Sequence, residues 1–387
     1  MAQGYTARNN GFRGRARLDP YGEGEFNGVF RVGEADRYKG APPEMKTPLV
    51  VGGYSVDCDR KIIHDRSKLK FLNKAFLPEE PMDVELDLKE GLEKAIDYQG
   101  NSQESFENLL RWVLRNQLSL VHEKSSQRLS IDILCFRGTL KKICASPYKP
   151  NNPWTIYVAE IKGSLYITPA VSETQPHPAN KTNLWGNKFE QYLKGDPDDI
   201  LNANEEYHSV LQLSVGGFSL LYSPEIDCAD ADAYREDHKD MSAFVLIKCL
   251  KDCTRTTYYY QRFRLSDWWL DNMLTGIPRI IVGNCTGDGV VHSMELLKTE
   301  DLPALAENEW DPDVYINFLV SFINFMKQKV AKDTTAVYMF ERRARDNIYC
   351  SKLSEPASAF LPSWYTQKLL TKTNLTKETP KMQVKHG

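Results

Sequence analysis

Ala243–Asp252 reads AFVLIKCLKD, an apolar run with a lysine in its middle. A short run rich in Val, Ile and Phe predicts a buried strand. Lysine is almost never fully buried without a partner, so Lys248 asks for carboxylates nearby. Residues two apart on a strand share a face. That rule sets Leu246 beside Lys248 and, upstream in PEIDC, Glu225 beside Asp227. If the two strand segments are neighbours joined by the acidic loop ADADAYREDHKD, two carboxylates and an ammonium meet across one ladder. Glu190, on the helix predicted for NLWGNKFEQYLKG and closed by Gly195, can bring a third carboxylate.

The surrounding pattern mixes strands with helices. SQESFENLLRWVLRNQLSLV repeats apolar residues every three or four positions from Phe106 to Leu118, with Ser102 and Ser105 as candidate caps. SIDILCFRGTL reads as a strand, and NPWTIYVAEIKGSLYIT as a hairpin hinged at Lys162–Ser164. EYHSVLQLSVGGFSLLYSPEIDC reads as a strand segment preceding the acidic loop. LSDWWLDNMLTG predicts a helix capped by Ser266 and stopped at Gly276, followed by a hairpin through Thr286–Asp288. In EWDPDVYINFLVSFINFMKQKV, Asp311 caps a helix that Pro312 opens. AVYMFERRA and DNIYCSKL form a last hairpin. This pattern predicts one α+β domain over residues 46–365, built on a large mixed β-sheet. An irregular arm (residues 1–45) would precede it, and a frayed lysine-rich tail (366–387) would follow.

Bulk properties narrow the function classes. The 387 residues are 41% hydrophobic and 26% charged, with a formal net charge of −3. No global basic field advertises nucleic acid, so any such binding must come from a local cleft. No apolar stretch approaches the roughly 18 residues of a membrane span, and the N-terminus lacks the apolar core of a signal peptide. The eight cysteines sit mostly in apolar segments, as reduced core thiols do. Cys249 and Cys253 lack a second pair at zinc-binding spacing. A cytoplasmic or nuclear protein, with no membrane partner and no DNA partner, is the expectation.

Clustered carboxylates suit a hard cation such as Mg²⁺, and a lysine beside it can steady charge during phosphodiester hydrolysis. The plainer alternative is that Glu225 and Asp227 face solvent at a strand end while Lys248 sits at a sheet edge. TTYYYQRFR interleaves aromatics with Arg255, Arg262 and Arg264, which suits either an RNA groove or a half-buried strand. GNCTGDG lacks the lysine of a phosphate-binding loop and reads as a turn. His64, His122, His208, His238 and His292 lack ligand spacing, and the sequons at Asn180, Asn284 and Asn374 carry no meaning without secretion.

GNKFEQY following SLYIT, then PEIDC, FVLIK, DWWLDNMLTGIPRIIVG, EWDPDVYINFLVSF and AFLPSWY occur in an order that resembles the DXO family of RNA 5′-end decapping nucleases, from about Leu109 to Tyr365. The resemblance implies a fold related to PD-(D/E)XK nucleases, with two sheets flanked by helices. It implies hydrolysis of faulty RNA 5′ ends: incomplete guanosine caps, triphosphates or NAD-type caps, with 5′→3′ digestion in several members. It implies Mg²⁺ or Mn²⁺ held by carboxylates of the G-x-K-F-E, E-x-D and E-x-K motifs. Carried onto this chain, the metal-binding carboxylates are Glu190, Glu225 and Asp227. Lys248 is the catalytic lysine, and Arg137 of CFRGTL is the residue that binds RNA phosphate.

Three positions depart from the family pattern. Leu246 stands where E-x-K has its glutamate. Trp268 and Trp269 are followed by Leu270 and Asp271 where a glutamine lines the pocket, and GNC stands where G-F-R is expected. Leucine removes a charge and a hard ligand. Asp271 either replaces that charge or pairs with Lys248. Two functions follow: a member that binds RNA 5′ ends, nucleotide caps or a protein partner with hydrolysis impaired or lost, or a working metal-dependent decapping hydrolase with a rearranged site.

Overall fold

The computed structural model describes residues 25–371 except 123–124, 171–183, 196, 238 and 252–256. The chain opens with β1 (Glu25–Phe30), β2 (Leu49–Val56), β3 (Ile62–Ile63), β4 (Met82–Asp87) and α1 (Ser102–Asn116). Next come β5 (Val121–His122), β6 (Ser125–Leu129), β7 (Ile133–Leu134), α2 (Arg137–Cys144), β8 (Trp154–Ile161), β9 (Ser164–Pro169) and α3 (Trp185–Lys194). The middle holds β10 (Glu206–Val215), β11 (Phe218–Tyr222), β12 (Cys228–Ala229), β13 (Phe244–Lys251), α4 (Leu265–Thr275), β14 (Arg279–Cys285) and β15 (Val290–Lys298). It closes with α5 (Leu302–Leu305), α6 (Pro312–Val330), β16 (Ala336–Arg342), β17 (Ile348–Pro356) and α7 (Ser363–Thr366).

The strands build a ten-stranded mixed sheet, ordered β1-β17-β16-β8-β9-β7-β11-β10-β2-β3, and a five-stranded sheet, ordered β12-β13-β14-β15-β4. In the first, β7 runs parallel to both β9 and β11; in the second, β13 runs parallel to β14. The α+β class with a large mixed sheet and a second sheet is therefore as expected. Alternation along the strands sorts side chains into layers. Leu211 and Leu220 of the large sheet join α4, α6 and Leu246 of the small sheet in one core. Val210 and Leu221 turn to the opposite face, with residues of α1 and the chain around α7. Val245 and Ile247 pack on the outer side of the small sheet with Phe189 and Leu193 of α3.

Several local expectations change. SIDILCFRGTL is strand only to Leu134; Leu140, Ile143 and Cys144 then follow helical spacing into the core, so α2 begins at Arg137. EYHSVLQLSVGGFSLLY folds back on itself at Gly216–Gly217, whose φ angles of 56° and 81° suit glycine in a tight hairpin. Ser266 is not a cap, because a π-helical turn, Tyr260–Arg264, leads directly into α4. Its hydroxyl instead donates to the Arg262 carbonyl one turn back (2.8 Å). TTYYYQRFR is therefore not a strand; its Arg255 lies outside the described residues. The cap of α1 is Asn101, which accepts from the Glu104 N–H at 2.9 Å. Of the arm, residues 1–24 lie outside the described residues, and 25–30 form an edge strand on β17 rather than irregular chain. At the other end Leu369 and Leu370 are buried, so packing continues past Thr366.

The remaining expectations fit. Gly276 closes α4 at φ 77°, and Asp311 accepts from the Asp313 N–H to cap α6. The hairpins β8–β9, β14–β15 and β16–β17 form as read. The described cysteines are all free; Cys253, His238 and the sequons at Asn180 and Asn374 lie outside the described residues. Among the described residues no helix is long and apolar enough to cross a membrane.

Candidate functional site

PEIDC crosses from one sheet to the other. Glu225 makes a single antiparallel bridge to His208 on β10 of the large sheet. Three residues later the chain enters β12, where Cys228 opposes Val245 on β13. Glu225 and Asp227 thus lie in a connection between sheets rather than on one face of a continuous strand. The antiparallel register still carries Asp227 toward Leu246 and Lys248. The Ile247 N–H donates to Asp227 Oδ2 at 2.7 Å, and Lys248 Nζ lies 3.9 Å from the same oxygen. The neighbouring ladders inferred from AFVLIKCLKD are present.

α3 brings the third carboxylate from the outer layer. Its Phe189 ring seats against the backbone of Gly283 on β14; a Cβ there would meet the ring at 2.4 Å. The next residue is Glu190. Lys194, one turn later, donates to Glu190 Oε2 at 2.5 Å and to the Asp227 carbonyl at 2.9 Å. Burial raises the Glu190 carboxyl, with Lys194 opposing and Asp227 adding to the rise. Glu225 is pushed up to about 7, first by its protein surroundings and then by Glu206 and Glu190. Its side chain still opens to solvent, which screens part of that effect. Behind it, buried His208 is satisfied: it meets Glu206 at 2.9 Å and the Ser223 carbonyl at 3.2 Å.

On the inner side, α2 and α4 pack together. Arg137 and Lys141, one helical turn apart, both reach Asp271: Arg137 through its guanidinium, Lys141 at 2.8 Å. Asp267, one turn earlier on α4, takes Lys149 at 2.5 Å. Burial disfavours charge on Asp271, but Arg137 and Lys141 outweigh it and leave its carboxyl below the usual value. Asp271 pairs with these two cations rather than with Lys248, which acts on it only as a nearby charge. Arg137, in a segment read as strand, stands instead at the start of α2 with its charge matched by Asp271. A separate polar concavity, lined by Asp36, Lys39, Tyr148, Arg262, Glu309 and Asp311, shares none of these residues.

Leu246 is 8% exposed and belongs to the central core. It offers no oxygen where the pattern calls for one. A divalent cation requires several oxygens around one point. Here Lys194 holds Glu190, while Asp227 Oδ2 takes a main-chain N–H and faces Lys248. Among the described residues no three His, Cys, Asp or Glu side chains converge as metal ligands. As arranged, the donor set does not fit a Mg²⁺ or Mn²⁺ centre. The sequence reading missed Lys194 and Lys141. Lys194 was detectable as an i,i+4 partner of Glu190, whereas Lys141 was hidden by reading α2 as strand.

Comparison with known proteins places the fold in a family. The profile of the RAI1 like PD-(D/E)XK nuclease family matches residues 46–366. The decapping and exoribonuclease protein of Xenopus laevis is 28% identical over 356 residues, covering 86% of this chain and 88% of that protein. Scheffersomyces stipitis Rai1, solved with (3′-NADP)⁺ and calcium ion, superimposes with a TM-score of 0.68 at 19% identity, covering 92% of this chain and 98% of that one. Candida albicans Rai1, solved with pU5-Mn²⁺, gives a TM-score of 0.68 at 19% identity over 90% of this chain and 97% of that one. Since the profile runs through both sheets and every carboxylate at their junction, the chain belongs to the RAI1 like PD-(D/E)XK nuclease family.

Proposed function

We propose that this chain binds RNA 5′ ends or nucleotide caps, with metal-dependent hydrolysis impaired or lost. The observation that carries this reading is Leu246, buried two residues before Lys248, at the position where the family resemblance expects a metal-binding glutamate. Binding is supported by the company the relatives keep: one neighbour holds pU5-Mn²⁺ and another (3′-NADP)⁺ with calcium. Arg137 and Lys141 are the cations suited to phosphate, with Asp271 between them setting how strongly they act. Lys248 and the carboxylates Glu225 and Asp227 shape the floor on which a 5′ end would rest. A protein partner is a further role open to a member that binds without cutting.

The second reading, an active Mg²⁺- or Mn²⁺-dependent decapping hydrolase, is favoured by one observation. Glu190 and Glu225 both have raised carboxyls, and a divalent ion would relieve their repulsion. The two readings separate on incubating NAD-capped, triphosphate and unmethylated-cap RNAs with Mn²⁺ beside an active relative. Binding without turnover is expected here, and turnover matching the relative would overturn it. Leu246→Glu restores a ligand and should raise both metal affinity and hydrolysis. If it raises neither, Leu246 is not the position that limits the site.

A further inference from the structure

Carboxylates gathered at one place need positive charge among them. Lys248 supplies one charge from the small sheet, at the Asp227 side. Lys194 supplies another, and its placement differs from that of an ordinary surface pair. A solvent-exposed i,i+4 pair of glutamate and lysine is screened and held loosely. Lys194 is only 19% exposed and Glu190 20%. Its Nζ has two acceptors on two separate parts of the fold, Glu190 Oε2 on α3 at 2.5 Å and the Asp227 carbonyl in the crossing segment at 2.9 Å. The ammonium also sits in the last turn of α3, where the helix dipole favours a cation. It therefore joins the helix to the crossing segment, between the carboxylate of one and the main chain of the other.

We propose that Lys194 is the resident cation of this carboxylate cluster, its covalently attached ammonium taking the place a divalent ion holds in a metal-dependent nuclease. The inference rests on the reading of Glu190, Glu225 and Asp227 as the ligand-facing floor of the site. A metal ion would have to take Glu190 from Lys194 and then tolerate a positive charge beside it. The cluster is thereby ordered without metal, and RNA binding becomes independent of divalent ions.

Calorimetric titration of Mn²⁺ into the full chain, with the electron paramagnetic resonance of bound Mn²⁺ as a second readout, tests this directly. The wild type should show no saturable site, and its melting temperature should be the same in EDTA and in Mn²⁺. Lys194→Gln keeps a hydrogen-bond donor but removes the charge, and should gain a saturable Mn²⁺ site at least about 10-fold tighter than the wild type's detection limit, the scale set by groups that orient metal ligands. Lys194→Arg should behave as the wild type. Tight Mn²⁺ binding or Mn²⁺-dependent stabilisation of the wild type would overturn the proposal even if Lys194→Gln failed to fold. So would a folded Lys194→Gln with no gain. Fluorescence anisotropy of triphosphate RNA in EDTA keeps the two ideas apart. Absence of RNA binding beside the expected Mn²⁺ results removes the RNA-binding reading and leaves Lys194 in its role. RNA binding that requires Mn²⁺ does the reverse.

Discussion

Glu225 has a charge state set by its neighbours. Its carboxyl, normally at 4.5, is raised to about 7, so the folded chain retains a proton that the unfolded chain releases. The associated stability is complete below 4.5 and is lost as pH rises toward 7. Glu225→Gln should flatten the dependence of melting temperature on pH across that window, measured by thermal denaturation in EDTA. A slope identical to wild type would mean that Glu225 stays ionised throughout. Asp271 acts with the opposite sign, since a lowered carboxyl gives stability above its usual 3.8 that is lost only in stronger acid. The pairing of Lys248 with Asp227 was legible because a two-residue period and a short connecting loop fix which residues can meet. The partners of Asp271 were not, because they depend on α2 being helical and on how two helices far apart in sequence dock.

α3 holds its carboxylate in place through a contact that no helical pattern announces. Gly283 gives the Phe189 ring direct access to the β14 backbone, with three ring atoms within 2.8 Å of where a Cβ would stand. Gly283→Ala should force the ring outward, costing about 1–3 kcal/mol as overpacking does, and should shift Glu190 with it. Urea denaturation reads the first effect and RNA affinity the second; wild-type values for both would mean that α3 has slack at this contact. Elements with strong local signals, such as Asp311–Pro312 opening α6 or Gly276 closing α4, were readable directly. α4 was read in full, but the π-helical turn that leads into it was not. That Tyr260–Arg264 turn is rich in aromatics and arginines, which local propensity assigns to strand, yet Tyr260 packs edge-on against Trp268 at 5.9 Å. Tertiary packing decided there, as it did for α2.

At the scale of the whole molecule, the family match and the folded unit do not share a boundary. The match begins at residue 46, but β1 pairs with β17 at the edge of the large sheet. Its Phe30 lies 5.7, 5.5 and 5.3 Å from the rings of Phe318, Phe322 and Phe325. A chain shortened to start at residue 46 should lose that aromatic cluster and bare the edge of β17, an invitation to strand pairing between molecules. Light scattering during thermal denaturation should show a lower onset of aggregation than in the full chain; an unchanged onset would mean that β1 contributes little to protecting the edge. A mixed sheet with helices was foreseeable from alternating strands and amphipathic helices, and the second sheet from the family resemblance, but the order of strands was not, because partners such as β1 and β17 or β2 and β10 lie far apart in sequence. One junction in that plan reaches further. Glu225 bridges His208 of the large sheet and Asp227 accepts from the Ile247 N–H of the small one, so only Ile226, bonded to the Tyr207 carbonyl, separates carboxylates tied to different sheets. A shift of one sheet against the other would therefore change the spacing of these two carboxylates. The residues proposed to face a 5′ end and the crossover between the two sheets thus occupy the same short length of chain, so a substitution there would bear on both.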